Sequence, residues 1–249
     1  MDSTLVEIQP DIKCLVGKNE SGKTAFVEAL RRLKPAQGNV EFSSPKHYPS
    51  WLEKRHRREA KAKGEDLDES SPITAIFGIE KSDKEAVSAI FGDGVLLSEE
   101  FEISRKHTNK YGGAFQLDEH KAVANFLAIF ALASGLESLI ECQSFGALRK
   151  AIIDLTPEAG QESGVNTVFT ELGGSIDESI PVDTTLWQAV WRILFARTPQ
   201  CFDFSQYSSL PSIVQIRRLL AAKEDELNEE DHTALALLKL AEFEEELGF

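Results

Sequence analysis

Residues 17–24 read GKNESGKT and fit the pattern G-x-x-x-x-G-K-[ST] at every fixed position. This pattern is typical of a loop that holds the phosphates of a nucleoside triphosphate between a strand and a helix. The apolar run Ile12–Val16 predicts a buried strand before the loop, and Ala25–Leu30 predicts a helix after it. A loop that only turns the chain is the alternative, but the flanking elements favour a triphosphate site.

The residue types of this loop account for the chemistry expected of it. Gly17 and Gly22 let the backbone curl so that successive N–H groups point at the phosphates, beside the positive end of the following helix. Lys23 is predicted to reach the β- and γ-phosphates and Thr24 to bind Mg²⁺, so these two are the predicted catalytic residues. The expected cofactors are ATP and Mg²⁺. The residues predicted to bind the nucleotide are Gly17, Lys18, Asn19, Glu20, Ser21, Gly22, Lys23, Thr24 and Ala25.

The composition is that of an ordinary soluble protein. The chain has 249 residues, of which 42% are hydrophobic and 27% are charged, enough for one large domain or two small ones. Cys14, Cys142 and Cys201 are far apart and are predicted to be buried thiols in a reducing compartment. The chain start lacks a secretory pattern, and the most apolar stretch, Phe126–Leu136, is too short to span a bilayer. We therefore expect a cytoplasmic protein with no membrane partner.

One basic run stands out against a formal net charge of −14. Residues 54–58 read KRHRR, and Lys61 and Lys63 follow in a predicted helix that opens near Trp51. Because an acidic field repels phosphate, nucleic acid is not expected to bind over the whole surface, although a local path along this run stays open. The composition favours a solvated helix face. The acids that would balance it are Glu53, Glu59, Glu65 and Asp66.

An antiparallel hairpin is predicted in the middle of the chain. Ile73–Ile79 has the β-branched and aromatic content of a strand, and Lys84–Phe91 is predicted to be a helix. The alternating runs Glu100–His107 and Gly113–Leu117 are separated by the turn-rich residues 108–112. This pattern predicts a hairpin beside the phosphate-binding strand. The predicted fold class is therefore α/β, with a P-loop NTPase lobe and a mixed sheet.

The predicted domain boundary lies after residue 118. Residues 1–118 are expected to form the nucleotide-binding lobe, and residues 119–249 a mainly helical region that leads into an insertion or a second lobe. Trp187 and Trp191 lie on one helix face, where core packing is favoured over a base-stacking platform. The predicted helices of this region cover Glu119–Leu155, Thr184–Ala196, Pro211–Lys223 and Glu230–Leu247.

The groups that would cleave the triphosphate are not evident. Hydrolysis needs a carboxylate at the end of an apolar strand for Mg²⁺ and a residue that polarises water. Asp154 ends an apolar run that continues a helical pattern, and Asp203 follows only two apolar residues. Residues 172–175 read LGGS, which is similar to the LSGGQ signature of ABC-type ATPases but lacks its serine, and are predicted to be a turn.

Several segments resemble the RecF/SMC-type AAA ATPases of bacteria, including the OLD-like group. Residues 14–24, running into Ala25–Leu30, resemble their phosphate loop. His47–Trp51 is similar to the D-Y-P-R element that follows the first helix there. Phe202–Pro211 is similar to the F-D-x-Y-x-x-L-P-G element, and the run Thr233–Leu238 follows it. The phosphate loop is the chemically specific part of this resemblance.

The resemblance implies a fold like the N-terminal lobe of an ABC-type head. In that family a C-terminal lobe supplies the signature, the magnesium carboxylate with its glutamate and the switch histidine, and two heads sandwich two ATP molecules. Many members act on DNA in repair or in phage defence, and OLD-like members carry a nuclease domain. The implied partners are a second head in a homodimer or a C-terminal lobe, DNA and an associated nuclease. This sequence lacks the second lobe, so we expect a fragment or one piece of a split system, inactive alone.

Two further hypotheses stay open. The first is a nucleotide-regulated interaction module without catalysis, in which the acidic helices from Pro211 onward offer a partner surface. The second is a small-molecule or nucleotide kinase, which shares the phosphate loop but needs a substrate-binding arginine set and a lid. Neither of these last two features can be assigned in the sequence.

Overall fold

The computed structural model of the chain describes residues 5–8, 12–18, 22–36, 40–43, 50–129, 137–155, 164–181, 183–201, 213–222 and 227–240. Some of the sequence predictions therefore concern residues outside this part of the chain. They are Asn19, Glu20 and Ser21 of the loop, residues 47–49, Asp203 and the whole of Phe202–Pro211.

The described residues form an α/β protein with one small antiparallel sheet. Its strands, in the spatial order β1-β2-β3, are β1 (Ile73–Gly78), β2 (Glu100–Arg105) and β3 (Tyr111–Ala114). Its helices are α1 (Lys23–Leu33), α2 (Ser50–Ala62), α3 (Lys81–Phe91), α4 (Glu119–Ala128), α5 (Phe145–Leu155), α6 (Gly164–Ser179), α7 (Leu186–Arg197), α8 (Ile216–Ala221) and α9 (Glu229–Leu240). The predicted strand, helix and hairpin of residues 73–117 are thus confirmed. The position predicted for the hairpin, beside the phosphate-binding strand in a mixed sheet, is not confirmed, because the described sheet is antiparallel and consists of β1, β2 and β3. The P-loop NTPase assignment stays a prediction.

The chain folds into two compact units that interleave along the sequence. The loop unit contains Met1–Ile73, Arg105–Tyr111 and Gln200–Phe249, and the sheet unit contains Thr74–Ser104 and Gly112–Pro199. The tip of the β2–β3 hairpin thus belongs to the loop unit. The predicted domain boundary after residue 118 stays a prediction.

The sheet unit is built on aromatic packing between the hairpin and α7. Phe101 is 3% exposed and its ring meets Trp191 edge-on at 5.0 Å between centroids. Trp187 and Trp191 stack on each other at 5.2 Å, and Phe115 stacks on Trp187 at 5.0 Å. This geometry agrees with the core packing predicted for the two tryptophans. Gly113 permits it, because a β-carbon there would lie 2.4 Å from the ring of Trp191.

The prediction made for residues 172–175 is wrong. The segment LGGS was predicted to be a turn and instead lies inside α6. Leu172, Ile176 and Ile180 are all buried, at a spacing of four residues that suits one helix face. Arg149 of α5 joins this helix through Asp177 at 2.9 Å and the carbonyl of Ile180. Burial of that apolar face outweighs the low helix propensity of the two glycines.

The segment before the phosphate loop corrects a second prediction. Ile12–Val16 was predicted to be a buried strand, but these residues lie outside any strand, and Ile12 and Val16 are each 93% exposed. A strand forms only where its backbone groups pair with a neighbour, and β1–β3 pair among themselves. Cys14 in this segment is exposed, so the prediction of a buried thiol is also wrong there.

Candidate nucleotide-binding loop

Gly22 forms the junction between the phosphate loop and α1. It is the residue before the first helical residue, Lys23, and its φ of 87° lies in the left-handed region. Among the described residues other than its chain neighbours, no heavy atom lies within 4 Å of a β-carbon built at this position. The glycine is therefore required for its backbone conformation and not for space.

Lys23 folds back over the loop that precedes it. Its Nζ donates hydrogen bonds to the carbonyl oxygens of Gly17, at 2.8 Å, and Lys18, at 2.7 Å. Gly17 and Lys18 open the eight-residue motif and Lys23 almost closes it. The two hydrogen bonds therefore bring the ends of the loop together around one ammonium group. Charge-assisted bonds of this kind are stronger than neutral ones.

The first turn of α1 presents polar groups suited to an anion. Thr24 and Ala25 are exposed, and the first turn contains no acidic residue. The first helical hydrogen bond in this turn runs from the N–H of Phe26 to the carbonyl of Gly22, at 3.0 Å. N–H groups at such a helix start point along the axis, where they attract negative charge. The loop therefore combines an ammonium, a hydroxyl and a helix N-terminus at one place.

The other end of α1 is fixed by an arginine that sequence reasoning missed. Arg105 is 3% exposed, and its Nη1 donates to the carbonyl of Arg32 at 2.5 Å and to that of Val40 at 2.9 Å. Its guanidinium also lies 5.3 Å from the centroid of the Tyr111 ring. A cation at the negative end of a helix is stabilising. No local pattern could have identified this role, because Arg105 and Arg32 are 73 residues apart in the sequence.

A short parallel bridge follows α1 in the loop unit. Pro35 pairs with Cys201, and the carbonyl of Lys34 accepts a hydrogen bond from the N–H of Cys201 at 2.6 Å. Burial raises the pKa of the Cys201 thiol and lowers the pKa of the Lys34 ammonium.

The predicted site residues fit a magnesium nucleotide in part. Thr24, the predicted metal ligand, is exposed in the first turn, where a phosphate-bound Mg²⁺ would meet its hydroxyl. Asp154 lies exposed in α5, as predicted for a helical residue. Within the described ranges, no group of three or more His, Cys, Asp or Glu residues is placed to hold a metal ion. Among the described residues, Thr24 therefore stays the predicted metal ligand.

The basic helix α2 is partly balanced by acids, as the sequence analysis favoured. Arg55 Nε lies 2.8 Å from Glu59 Oε1, and Arg57 Nε lies 3.0 Å from Glu53 Oε1. Arg57 also binds both carboxylate oxygens of Asp68, an acid that sequence reasoning did not name. The residue lies on the short 3₁₀ helix Leu67–Glu69 that follows α2.

Comparisons with known proteins leave the family open. Searches against family models, curated proteins and solved structures found no significant match to this chain. Among the described helices, none is both long and apolar enough to cross a membrane.

Proposed function

We infer that the chain binds Mg-ATP through its phosphate loop and is the ATP-binding lobe of a RecF/SMC/OLD-like ATPase. The observation that carries this proposal is the position of the Lys23 ammonium. It bonds two carbonyl oxygens of the loop, at 2.8 and 2.7 Å, directly before the N-terminus of α1. A cation held at that point suits the β- and γ-phosphates of a triphosphate.

Each described group has a role in this proposal. The phosphates replace the carbonyls of Gly17 and Lys18 as partners of the Lys23 ammonium. Gly22 keeps the backbone in the left-handed conformation that turns the loop into the helix. Thr24 binds the Mg²⁺ that bridges the phosphates, and the first N–H groups of α1 add their partial positive charge.

The exposed segment before the loop supports a lobe that needs a partner. Ile12 and Val16 are each 93% exposed, and Leu15 is 38% exposed. A second lobe or head that covered them would remove apolar surface from water. The proposal assigns hydrolysis to that assembly, with a homodimer of complete heads as the working form. It places the assembly in DNA repair or phage defence, with a nuclease as a further partner.

Titration with a fluorescent ATP analogue tests the site itself. Wild-type protein should bind the analogue in the presence of Mg²⁺, and Lys23→Ala should bind it roughly 30- to 1,000-fold more weakly, because it loses charge-assisted bonds to the phosphates. Lys13→Ala is the matched control, since Lys13 is an exposed lysine just outside the motif. Unchanged affinity in Lys23→Ala would refute the proposal.

The metal role of Thr24 is tested separately. Thr24→Ala should bind the analogue without Mg²⁺ as well as wild type does, but should lose most of the gain that Mg²⁺ gives to wild type. Thr108→Ala is the control, because Thr108 is an exposed threonine in the hairpin tip. If Mg²⁺ strengthens binding equally in Thr24→Ala and wild type, the hydroxyl is not a metal ligand.

A further inference from the structure

Helix α2 has two faces of different character. The half-buried positions of known exposure are Leu52, Glu53, His56, Arg57 and Ala60, and the exposed ones are Ser50, Lys54, Arg55, Arg58, Glu59, Lys61 and Ala62. At about 100° per residue the two sets fall on opposite sides of the helix. The outer face therefore carries four cations and one acid, with no large apolar residue among these positions.

The inner face holds α2 in place. Arg57 forms two hydrogen bonds to Asp68, at 3.0 and 2.9 Å, and a third to Glu53, at 3.0 Å. These bonds raise the pKa of Arg57, first through Asp68 and then through Glu53. The backbone of Glu65 continues the contact by donating to the carbonyl of Ala60 at 2.9 Å. Arg57 thus ties α2 to the 3₁₀ helix Leu67–Glu69, and the outer face lies on the opposite side of α2.

Three cations of the outer face form a stripe. Lys54, Arg58 and Lys61 are spaced by four and three residues, so they lie within about 60° of one another around the helix and span about 10 Å along it. In the part of the chain that the structure describes, none of the three takes part in an ion pair, whereas neighbouring Arg55 is paired with Glu59. The stripe is a local positive surface on a chain of net charge −14.

We propose that the stripe Lys54, Arg58 and Lys61 binds the phosphate backbone of nucleic acid. A row of unpaired cations on a rigid helix matches a polymer that repeats one negative charge at short intervals. A membrane surface would require apolar side chains to insert, and a protein partner would require a buried apolar or aromatic anchor. The positions of α2 whose exposure the structure describes offer neither. Binding is therefore independent of base sequence and strongly dependent on salt.

This surface lies outside the phosphate loop and does not rest on the proposed function. The acidic remainder of the molecule repels phosphate, so it orients the nucleic acid toward α2 instead of binding it generally. Nucleic-acid binding should accordingly occur without nucleotide.

The test compares two triple variants by fluorescence anisotropy with a labelled DNA duplex, in the absence of nucleotide. One variant is Lys54→Gln/Arg58→Gln/Lys61→Gln. The control is Lys81→Gln/Lys121→Gln/Arg192→Gln, which removes two exposed lysines and one exposed arginine from helices of the sheet unit. Circular dichroism verifies that both variants fold, and titration with the ATP analogue verifies that the loop is unaffected.

The expected result is a lower salt dependence for the stripe variant. Three phosphate contacts contribute about 2.7 to the slope of log K against log salt, or roughly 40-fold in affinity between about 50 and 200 mM. The stripe variant should lose this contribution and the control should keep it. Equal slopes in both variants would overturn the proposal, as would binding of the wild type to vesicles with phosphatidylserine but not to DNA. If only ATP binding fails, the proposal that the stripe binds nucleic acid is unaffected.

Discussion

The phosphate loop and the hairpin sheet are held by different forces. Just before the loop, Ile12 and Val16 are each 93% exposed. The described contacts of the loop are hydrogen bonds from Lys23 to carbonyl oxygens. In the sheet unit, Ile103 is fully buried and Phe101 is 3% exposed against the ring of Trp191. The first region depends on polar contacts between near neighbours in sequence, and the second on apolar contacts between distant residues.

The loop therefore contributes chemical groups, whereas the sheet unit contributes stability. A site made of adjacent residues keeps its chemical groups together whatever lies around it, whereas a core exists only when distant elements have packed. Substitutions in the sheet unit should therefore change the free energy of unfolding, and those in the loop should mainly change ligand binding.

The largest predicted difference is in the free energy of unfolding, when isoleucine is replaced by alanine in each of the two regions. Ile103→Ala should lower the free energy of unfolding by about 2–5 kcal/mol, because it removes buried apolar atoms and leaves a cavity. Ile12→Ala should change it by less than about 0.5 kcal/mol, since that side chain is 93% exposed. Urea denaturation measures both values. A comparable loss of unfolding free energy in Ile12→Ala would mean that this segment is buried in solution. The two regions would then not differ in the way described.

Two glycines of the sheet unit should respond with opposite signs. A β-carbon at Gly113 would lie 2.0 Å from the carbonyl oxygen of Glu102, so Gly113→Ala should cost about 1–3 kcal/mol of stability. Gly174 is exposed within α6, and among the described residues no atom other than those of its chain neighbours and of the helix's own backbone lies within 4 Å of such a carbon. Gly174→Ala should therefore stabilise the protein by about 0.5–1 kcal/mol. Thermal unfolding of the two variants compares them, and destabilisation by Gly174→Ala would argue against the helical assignment of residues 172–175.

Asn109 tests the role of polar contacts in the loop unit. Its φ is 63°, its Oδ1 accepts from the N–H of Phe42 at 2.7 Å, and its Nδ2 donates to the carbonyl of Phe42 at 3.0 Å. Asn109→Ala should lose about 1–2 kcal/mol, from both the hydrogen bonds and the left-handed backbone. Asn109→Gly should lose less, because glycine adopts that backbone freely. If denaturation shows equal losses of unfolding free energy in the two variants, the left-handed backbone at this position does not contribute to stability.

The smallest predicted effect concerns pH. Burial lowers the pKa of His107, and the nearby Asp68 only partly opposes this. Because the unfolded chain then binds a proton more readily than the folded one, the stability that His107 contributes above the unfolded pKa of about 6.5 is lost as the pH falls from there through the lower pKa of the folded protein. Unfolding at about pH 7.5 and about pH 5.5 should show a smaller loss in His107→Asn than in wild type. The same replacement at exposed His120 is the control, and equal losses in all three proteins would contradict the assignment.

Local elements were predictable where neighbouring residues decide them. The helix predicted over Ala25–Leu30 lies within α1, which begins at Lys23 directly after Gly22 and ends at Leu33, two residues before Pro35. The helix at Leu186–Arg197 begins at a capping box between Thr185 and Gln188. Both signals lie within a few residues of the element that they define.

Elements that depend on distant partners could not be predicted in the same way. The two glycines of residues 172–175 favour a turn in isolation, but burial of Leu172 and Ile176 places them in α6. The apolar run Ile12–Val16 has the composition of a strand without a strand's pairing. In each case the local sequence is compatible with the predicted turn or strand. Contacts with residues elsewhere in the chain determine which structure forms.

The sequence by itself determined the chemical groups of the phosphate loop and their order, because Gly22, Lys23 and Thr24 are adjacent in the chain. It also determined the charge of α2. The pair of Arg55 with Glu59 is likewise local, since the two residues are four apart in α2. The tertiary structure decided the pairing of Arg57 with Asp68 and the exposure of the stripe Lys54, Arg58 and Lys61. The physical reason is that covalent neighbours fix local composition, whereas ion pairs and burial depend on which distant segments meet.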